Sequence, residues 1–248
     1  MTTTAPTGGP ATTAPNSAGP APAPAGMRTV PEPAGGTRVV LVRHGEAACN
    51  VGGIVGGRRG CTGLTPAGRR QAEALAARLL DTGELAGATA LYASVLARAQ
   101  DTAAIVAPAI GAPAVVADCG LCELHPGEAD GLTWDEFRHR YGEPDFDADP
   151  DAEVAPGGES WTTFVARAAA AVTGLAEAHP GALVVVVCHA GVIESTMVSF
   201  LPVAPRRRLG LATEHTSLTE WERAGRAWRL IRYNDAAHLR PRTPAPSA

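Results

Sequence analysis

The chain alternates short apolar runs with stretches in which apolar residues recur every three or four positions. The short runs are rich in β-branched residues, which is typical of strands buried on both faces of a parallel sheet. The stretches between them have the periodicity of amphipathic helices that pack on such a sheet. We therefore predict an α/β domain, a three-layer sandwich with a largely parallel central sheet flanked by helices. The predicted strands are residues 38–42, 90–93, 114–117, 183–187, 218–221 and 228–231.

Helix signals fill the gaps between these strands. Thr65 and Pro66 are suited to the N-cap and first position of a helix that Gly83 would end. Thr133 and Glu136 form a capping box for a second helix, which would run to about residue 140. Two further helices are predicted at 95–107 and 191–201. A long helix between them has an apolar face made of Trp161, Phe164, Val165, Ala168, Val172 and Leu175.

Both ends of the chain differ in composition from the part between them. Residues 1–36 are almost entirely Thr, Ala, Pro, Gly and Ser, so they can bury little apolar surface. We expect this segment to be a disordered tail, and it lacks the apolar region of a secretory signal. Residues 241–248 are predicted to form a second loose tail. The folded domain is therefore expected to span residues 37–240.

Composition and charge exclude several classes of protein. Of the 248 residues, 45% are hydrophobic, which is enough for a core and excludes a wholly disordered chain. All 21 basic residues are Arg, the formal net charge is −4, and there is no long basic run. We therefore expect no nucleic-acid partner. The longest nearly apolar stretch, residues 182–193, is too short to cross a bilayer, so no membrane partner is expected either. The sequence gives no readable signal of the oligomeric state.

The five cysteines are expected to be reduced thiols in a cytoplasmic protein. Their number is odd, and a chain of this length needs no disulfides for stability. Cys119 and Cys122 form a C-x-x-C motif, but there is no second pair to complete a zinc site. A redox pair is the alternative interpretation of this short and common motif. We expect no metal site.

Charged and polar residues follow three of the predicted strands. Arg43 and His44 end the first strand, Arg98 lies one turn into the helix after the second, and His189 follows residues 183–187. Ligands of open α/β sheets bind at the carboxyl ends of the strands, so these side chains should converge. Two Arg side chains suit a dianionic phosphate ester, and a His can neutralise charge or act as a nucleophile.

The same edge of the sheet offers two further contributions to phosphoryl chemistry. The helix that begins near Gly191 would direct its N-terminal N–H groups at an anion. A leaving oxygen also needs a proton donor, which a carboxyl group can supply. Glu123, just after the third strand, is the best placed, and Glu128 is the competing candidate.

Six ordered segments resemble the histidine phosphatase superfamily, which includes the phosphoglycerate mutases. Residues 41–46 (LVRHGE), followed by Asn50, are similar to its N-terminal signature. The sequence departs from the family pattern at Ala47, where Thr is frequent, at Gly63, where Pro is common, and at His125 and Pro126. The other similar segments are 64–72, 92–102, 121–136, 157–160 and 188–193, and the resemblance runs from about residue 38 to 221.

The resemblance implies a role for each candidate site residue. His44 would be the nucleophile that becomes phosphorylated, and Glu123 would act first as acid and then as the base that activates water. The family requires no metal or organic cofactor. The implied phosphoryl- and substrate-binding residues are Arg43, Asn50, Arg98, His189 and Ala190, with His215 as a further pocket residue.

We therefore predict a metal-independent phosphomonoester hydrolase that acts on a small phosphorylated metabolite through a phosphohistidine intermediate. A phosphoglycerate mutase is the first alternative, but the family's mutases carry an insertion and an additional basic motif that are absent between Glu123 and His189. A non-catalytic module that binds a phosphorylated ligand is the second, although every matching catalytic position is filled. The three arginines at 206–208 are expected to form a solvated surface, or alternatively to hold an anionic substrate tail.

Overall fold

The computed structural model of the chain describes residues 1–2, 35–112, 114–202 and 209–240. Most of the predicted N-terminal tail, the whole predicted C-terminal tail and the arginines at 206–208 lie outside these ranges. The division of the chain into tails and a domain at 37–240 therefore stays a prediction. In the part that is described, regular structure runs from Thr37 to Leu239.

A six-stranded sheet with the order β3-β2-β4-β1-β5-β6 forms the centre of the fold. The first four strands along the chain are mutually parallel, whereas β5 runs antiparallel to β1, and β6 antiparallel to β5. The prediction of a largely parallel sheet in an α/β fold is thus confirmed. The strands are β1 (Thr37–Arg43), β2 (Ala90–Ala93), β3 (Val115–Ala117), β4 (Leu183–Cys188), β5 (Leu218–Ala224) and β6 (Ala227–Asp235).

Helices cover both faces of this sheet. Val40 and Val42 of β1 pack with helices α2 and α3 on one face, while Val39 and Leu41 pack with α5 and α6 on the other. Because both faces are covered, the central strands are continuously apolar. The helices are α1 (Ala48–Val51), α2 (Pro66–Thr82), α3 (Ala97–Ile110), α4 (Trp134–Tyr141), α5 (Trp161–Ala178) and α6 (Ala190–Phe200), with 3₁₀ turns at Cys119–Leu121, Gly127–Ala129 and Ala237–Leu239.

Most element boundaries lie within a few residues of the predicted ones, and the differences have local causes. The helix predicted at 95–107 begins at Ala97 and continues past Pro108 to the buried Ile110. Gly111, with φ of 66°, then ends it. The last two strands are longer than predicted because they pair with each other as a hairpin whose outer half is polar. The short helix α1 was not predicted. None of the helices that the structure describes is long and apolar enough to span a membrane.

Candidate active site

Four of the predicted site residues meet at the carboxyl ends of three neighbouring strands. His44 follows β1, His189 follows β4, and Arg98 lies in the first turn of α3, which follows β2. These strands are adjacent in the order β2-β4-β1, so their ends form one edge of the sheet. Arg43, the last residue of β1, also lies there and donates a hydrogen bond to the carbonyl oxygen of Thr213. The convergence predicted from the strand ends is therefore present.

His44 is held in one tautomer by its neighbours. Its Nδ1 lies 2.6 Å from the carbonyl oxygen of Gly45. A carbonyl can only accept a hydrogen bond, so Nδ1 carries the proton. Nε2 is then unprotonated, and it accepts a hydrogen bond from Nε of Arg98 at 3.1 Å. His44 is 3% exposed, and its unprotonated nitrogen is the one directed at the arginine.

Arg98 links His44 to the second histidine. Its Nε–H group also lies 3.3 Å from Nδ1 of His189, and its Nη1 donates to the carbonyl oxygen of Gly56 at 2.8 Å. His189 is therefore protonated on Nε2, a buried atom with no hydrogen-bonding partner in the described part of the chain. The ring centroids of His44 and His189 are 5.1 Å apart. One buried guanidinium thus sets the tautomers of two imidazoles.

Burial and positive charge keep this cluster of histidines neutral. Burial first, and then the charge of Arg98, hold the pKa of both His44 and His189 well below the usual range. His215, whose ring centroid is 5.8 Å from that of His44, has its pKa lowered to about 4 by burial and by Arg43. At neutral pH, His44 therefore presents an unprotonated nitrogen, which is the form that can attack phosphorus.

Glu123 lies on the wall of the same pocket. One carboxylate oxygen accepts the backbone N–H of Gly191 at 3.1 Å, and the other accepts that of Leu124 at 3.2 Å. The carboxylate lies close to Gly191, where a methyl group would overlap Oε1 and displace the side chain from this position. The competing candidate, Glu128, is exposed and accepts a hydrogen bond from the hydroxyl of Tyr141. Of the two carboxyl groups, only Glu123 lines the pocket.

Two residues that the sequence analysis did not single out hold the Glu123 loop. Nη1 of Arg167 on α5 donates to the carbonyl oxygens of Cys119, Gly120 and Cys122 at 2.9–3.2 Å. Glu159 binds the same guanidinium at 2.6 and 2.7 Å. Glu159 lies within the segment 157–160 noted above, so that segment was the available signal. Arg167 has no comparable local signal.

The turn at 44–46 is supported by α2 and α3. The N–H of Gly45 donates to Oγ1 of Thr102 at 3.0 Å, and that of Glu46 donates to Oε1 of Gln71 at 2.9 Å. Gly68, in the first turn of α2, lies so close that a methyl group there would overlap the carbonyl oxygen of Glu46. The His44 turn is thus fixed by contacts from both helices on that face of the sheet.

The pocket is a cavity of about 530 Å³ with a polar floor and a mixed outer wall. Asn50 lies on its rim, and the Oδ1 atom of that side chain accepts the N–H of Ala47 at 3.2 Å. Two predicted site residues, His189 and His215, contact His44 but are not among the lining residues. The predicted residues that line the cavity are Arg43, His44, Asn50, Arg98, Glu123 and Ala190, and the outer wall includes Trp134, Phe137, Arg138, Glu143, Phe146 and Leu211.

Known proteins share this sequence and fold. A family model described as the histidine phosphatase superfamily (branch 1) matches residues 39–236. A metal-independent phosphoserine phosphatase of Arabidopsis thaliana is 32% identical over 208 residues, covering 82% of this chain and 83% of that protein. The phosphoglycerate mutase-like protein 4 of the same organism is 31% identical over 204 residues, covering 81% and 86%.

A solved structure agrees with these relatives. The mycobacterial glucosyl-3-phosphoglycerate phosphatase, solved with VO3, is 32% identical, has a TM-score of 0.65 and covers 80% of this chain and 98% of its own. The names of the relatives are those of phosphatases and of a mutase-like protein, which confirms the predicted phosphatase type. With the family model matching nearly the whole of the described fold, the chain belongs to the histidine phosphatase superfamily, branch 1.

Proposed function

We propose that this protein is a phosphomonoester hydrolase that transfers the phosphoryl group of a small metabolite first to His44 and then to water. The observation that carries the proposal is the neutral His44, which directs its unprotonated Nε2 toward Arg98 in a pocket that Glu123 also lines. A nucleophile, a fixed cation and a carboxyl group are the three components that the reaction needs.

Arg43, Arg98 and His189 would bind the phosphoryl oxygens. Two guanidinium groups balance the charge of a phosphate monoester, and their planar forks suit its oxygens. A phosphoryl oxygen would also supply the acceptor that Nε2–H of His189 lacks in the described residues. Ala190 begins α6, whose N-terminal dipole favours an anion, and the side-chain amide of Asn50 would complete the site at the rim.

The reaction would proceed in two displacements. Nε2 of His44 attacks phosphorus while the bond to the leaving oxygen breaks, and Glu123 delivers a proton to that oxygen. Water then attacks the phosphohistidine, Glu123 takes a proton from this water, and the bond between nitrogen and phosphorus breaks. The Nδ1–H···O bond to Gly45 stabilises the charge on the phosphorylated imidazole. Since arginines supply the positive charge, we propose that turnover is metal-independent.

The outer wall of the pocket suggests which chemical groups the substrate carries. Its aromatic residues offer apolar contact, while Arg138 and Glu143 could pair with a carboxylate and an ammonium group. Phosphoserine carries both of these groups, and a phosphoserine phosphatase is among the relatives. We therefore place phosphoserine first in a panel of small phosphomonoesters, followed by phosphoglycerates and sugar phosphates. A cytoplasmic location, with all five cysteines free, is part of the same proposal.

A phosphoglycerate mutase is the second candidate, because a mutase-like relative is 31% identical to the chain. It would use the same histidine but return the phosphoryl group to the substrate. The absence of the mutase insertion and basic motif between Glu123 and His189 favours hydrolysis. Incubation of 3-phosphoglycerate with a bisphosphate primer separates the two, since a mutase forms the isomer and a phosphatase releases phosphate.

The decisive experiment combines phosphate release with trapping of the intermediate. We expect turnover of at least one ester in the presence of a chelator, and an acid-labile, base-stable phosphoenzyme after rapid quenching. His44→Ala should abolish both signals, whereas His139→Ala, an exposed histidine on α4, should retain them. Full activity in a folded His44→Ala protein would refute the proposal, as would a wild-type enzyme that neither turns over nor becomes labelled.

A further inference from the structure

A second group of reactive side chains lies on the same loop as Glu123. The Sγ atoms of Cys119 and Cys122 are 3.2 Å apart, and Nε2 of His125 is 3.5 Å from Sγ of Cys119. All three ligand atoms lie within 4.8 Å of one another. Cys122 is buried, while Cys119 and His125 are partly exposed. Neither of the two proposed displacements uses any of these side chains.

The histidine of this group is oriented as metal-binding histidines usually are. Its Nδ1 faces Oε2 of Glu159 at 3.5 Å, which directs Nε2 at the two sulfur atoms. Arg167 fixes Glu159 in turn through two hydrogen bonds. A carboxylate behind the ring is the usual partner of a metal-bound imidazole.

The distances suit a tetrahedral ion with soft ligands. Zinc, with Zn–S bonds of about 2.3 Å and Zn–N bonds of about 2.0 Å, holds two sulfurs about 3.8 Å apart and a sulfur and a nitrogen about 3.5 Å apart. The separation between Cys119 and His125 already has this value, the two sulfurs need to move apart by about half an ångström, and the ligand atoms of Cys122 and His125 lie within 4.8 Å of each other. Arg58, whose Nη2 is 3.4 Å from Sγ of Cys119, has an exposed side chain that can turn to solvent.

We propose that Cys119, Cys122 and His125 form a binding site for one Zn²⁺ ion, with water as the fourth ligand on the exposed side. On binding, each thiol releases its proton to solvent as a Zn–S bond forms, and Nε2 of His125 supplies the third bond. The site is thus neutral overall, which limits repulsion by Arg58. The sequence predicted no metal site, because it contains no second C-x-x-C pair. The third ligand instead lies three residues after Cys122.

This site has a consequence for turnover, and that consequence rests on the proposed function. Glu123 lies between Cys122 and His125, so its backbone is part of the ring that the ion closes. To bind the ion, Sγ of Cys122, which accepts a hydrogen bond from Ser94 at 3.3 Å, must also move away from Sγ of Cys119. The Glu123 carboxylate is held by the backbone N–H groups of Gly191 and Leu124, so a shift of this loop changes its position in the pocket. Zn²⁺ should therefore displace Glu123 and inhibit the enzyme reversibly, and a chelator should restore activity.

Cobalt binding to the full-length apo-protein tests the site without reference to activity. We expect Co²⁺ to produce thiolate charge-transfer absorption in the near ultraviolet and intense visible bands of a tetrahedral ion, saturating at one equivalent and bleached by Zn²⁺. Cys119→Ser, Cys122→Ser and His125→Gln should each weaken binding at least about tenfold. Cys61→Ser and His139→Ala should bind as the wild type does, and thermal melting establishes that each variant is folded.

The results can contradict the site and its effect separately. The site is refuted if folded wild-type protein gives no thiolate band, or if the band survives in Cys119→Ser and Cys122→Ser but disappears in Cys61→Ser. Inhibition of the wild type but not of Cys119→Ser supports the coupling to Glu123. Equal inhibition of both proteins locates the inhibitory ion elsewhere and overturns the coupling. A protein without phosphatase activity would still show the cobalt bands, so failure of the proposed function is distinguishable.

Discussion

His44 owes its chemical state to two neighbouring groups. The carbonyl oxygen of Gly45 requires a proton on Nδ1, and the guanidinium of Arg98 requires a lone pair on Nε2. Burial lowers the pKa of the His44 ring, so at neutral pH Nε2 stays unprotonated and both hydrogen bonds are kept. A histidine in this state needs no separate base before it attacks phosphorus.

The role of Glu123 is tested by comparing two leaving groups. Glu123→Gln should slow hydrolysis of alkyl phosphates by roughly 100-fold or more, because the leaving alkoxide then lacks its proton donor. The loss should be smaller with p-nitrophenyl phosphate, whose leaving group needs little protonation. The measurement is kcat/KM for both substrates, with Glu128→Gln as the exposed control. Equal losses on the two substrates would assign the acid to another residue.

At the scale of elements, the contact between the His44 turn and α2 sets the geometry of the site. Gly68 allows the first turn of α2 to approach Glu46, while Gln71 of the same helix binds the Glu46 N–H. Thr65 caps the helix through Gly68 and also donates its hydroxyl to the carboxylate of Glu46 at 2.6 Å. The start of α2 and the His44 turn are therefore one packed unit.

Replacement of Gly68 by Ala should separate these two elements. The added methyl group overlaps backbone atoms of Glu46, so we expect a loss of most activity and a decrease in the free energy of unfolding of about 1–3 kcal/mol. Gly174→Ala is the matched control, since a methyl group there meets no atom within 4 Å and should stabilise α5 by about 0.5–1 kcal/mol. Chemical denaturation and steady-state assays measure both effects. Wild-type activity in Gly68→Ala would show that the turn does not depend on this contact.

The elements also show what local sequence could and could not predict. The strands and the caps at Thr65 and Thr133 carry their signals within a few residues, and the structure has them. The convergence of the site followed from strand order, because parallel strands end at the same edge. Arg167 and His125 could not be assigned in this way. Their contacts join segments that are about 45 and 34 residues apart along the chain, and only the packing of α5 brings them together.

Across the whole molecule, buried histidines link stability to pH. The pKa values of His215 and His238 are lowered to about 4, chiefly by burial, and burial also holds those of His44 and His189 well below their usual range. An unfolded chain takes up these protons near pH 6.5, before the folded protein does. The free energy of unfolding should therefore be highest above pH 6.5 and decrease as the pH falls from 6.5 toward 4.

Melting temperatures across this range test the linkage. Between pH 6.5 and about 4.5, protonation of the histidines should account for most of the change in melting temperature. Carboxylates such as Glu159, whose pKa is lowered by Arg167, lose their contribution to stability only below that range. His238→Asn should reduce the number of protons taken up on unfolding by up to one, and so flatten the profile. A profile with the same slope in both proteins would show that His238 does not titrate on unfolding.

The Nε–H group of Arg98, which is shared between two imidazoles, also affects which electrophiles should react with His44. In the resting protein, the lone pair of His44 is already engaged by that N–H group. In the proposed reaction, a phosphate ester would bring anionic oxygens that compete for the guanidinium and so would release the lone pair on binding. A neutral alkylating or acylating agent has no such oxygens and meets an occupied nitrogen. We therefore expect this bifurcated hydrogen bond to make His44 react with anionic electrophiles in preference to neutral ones.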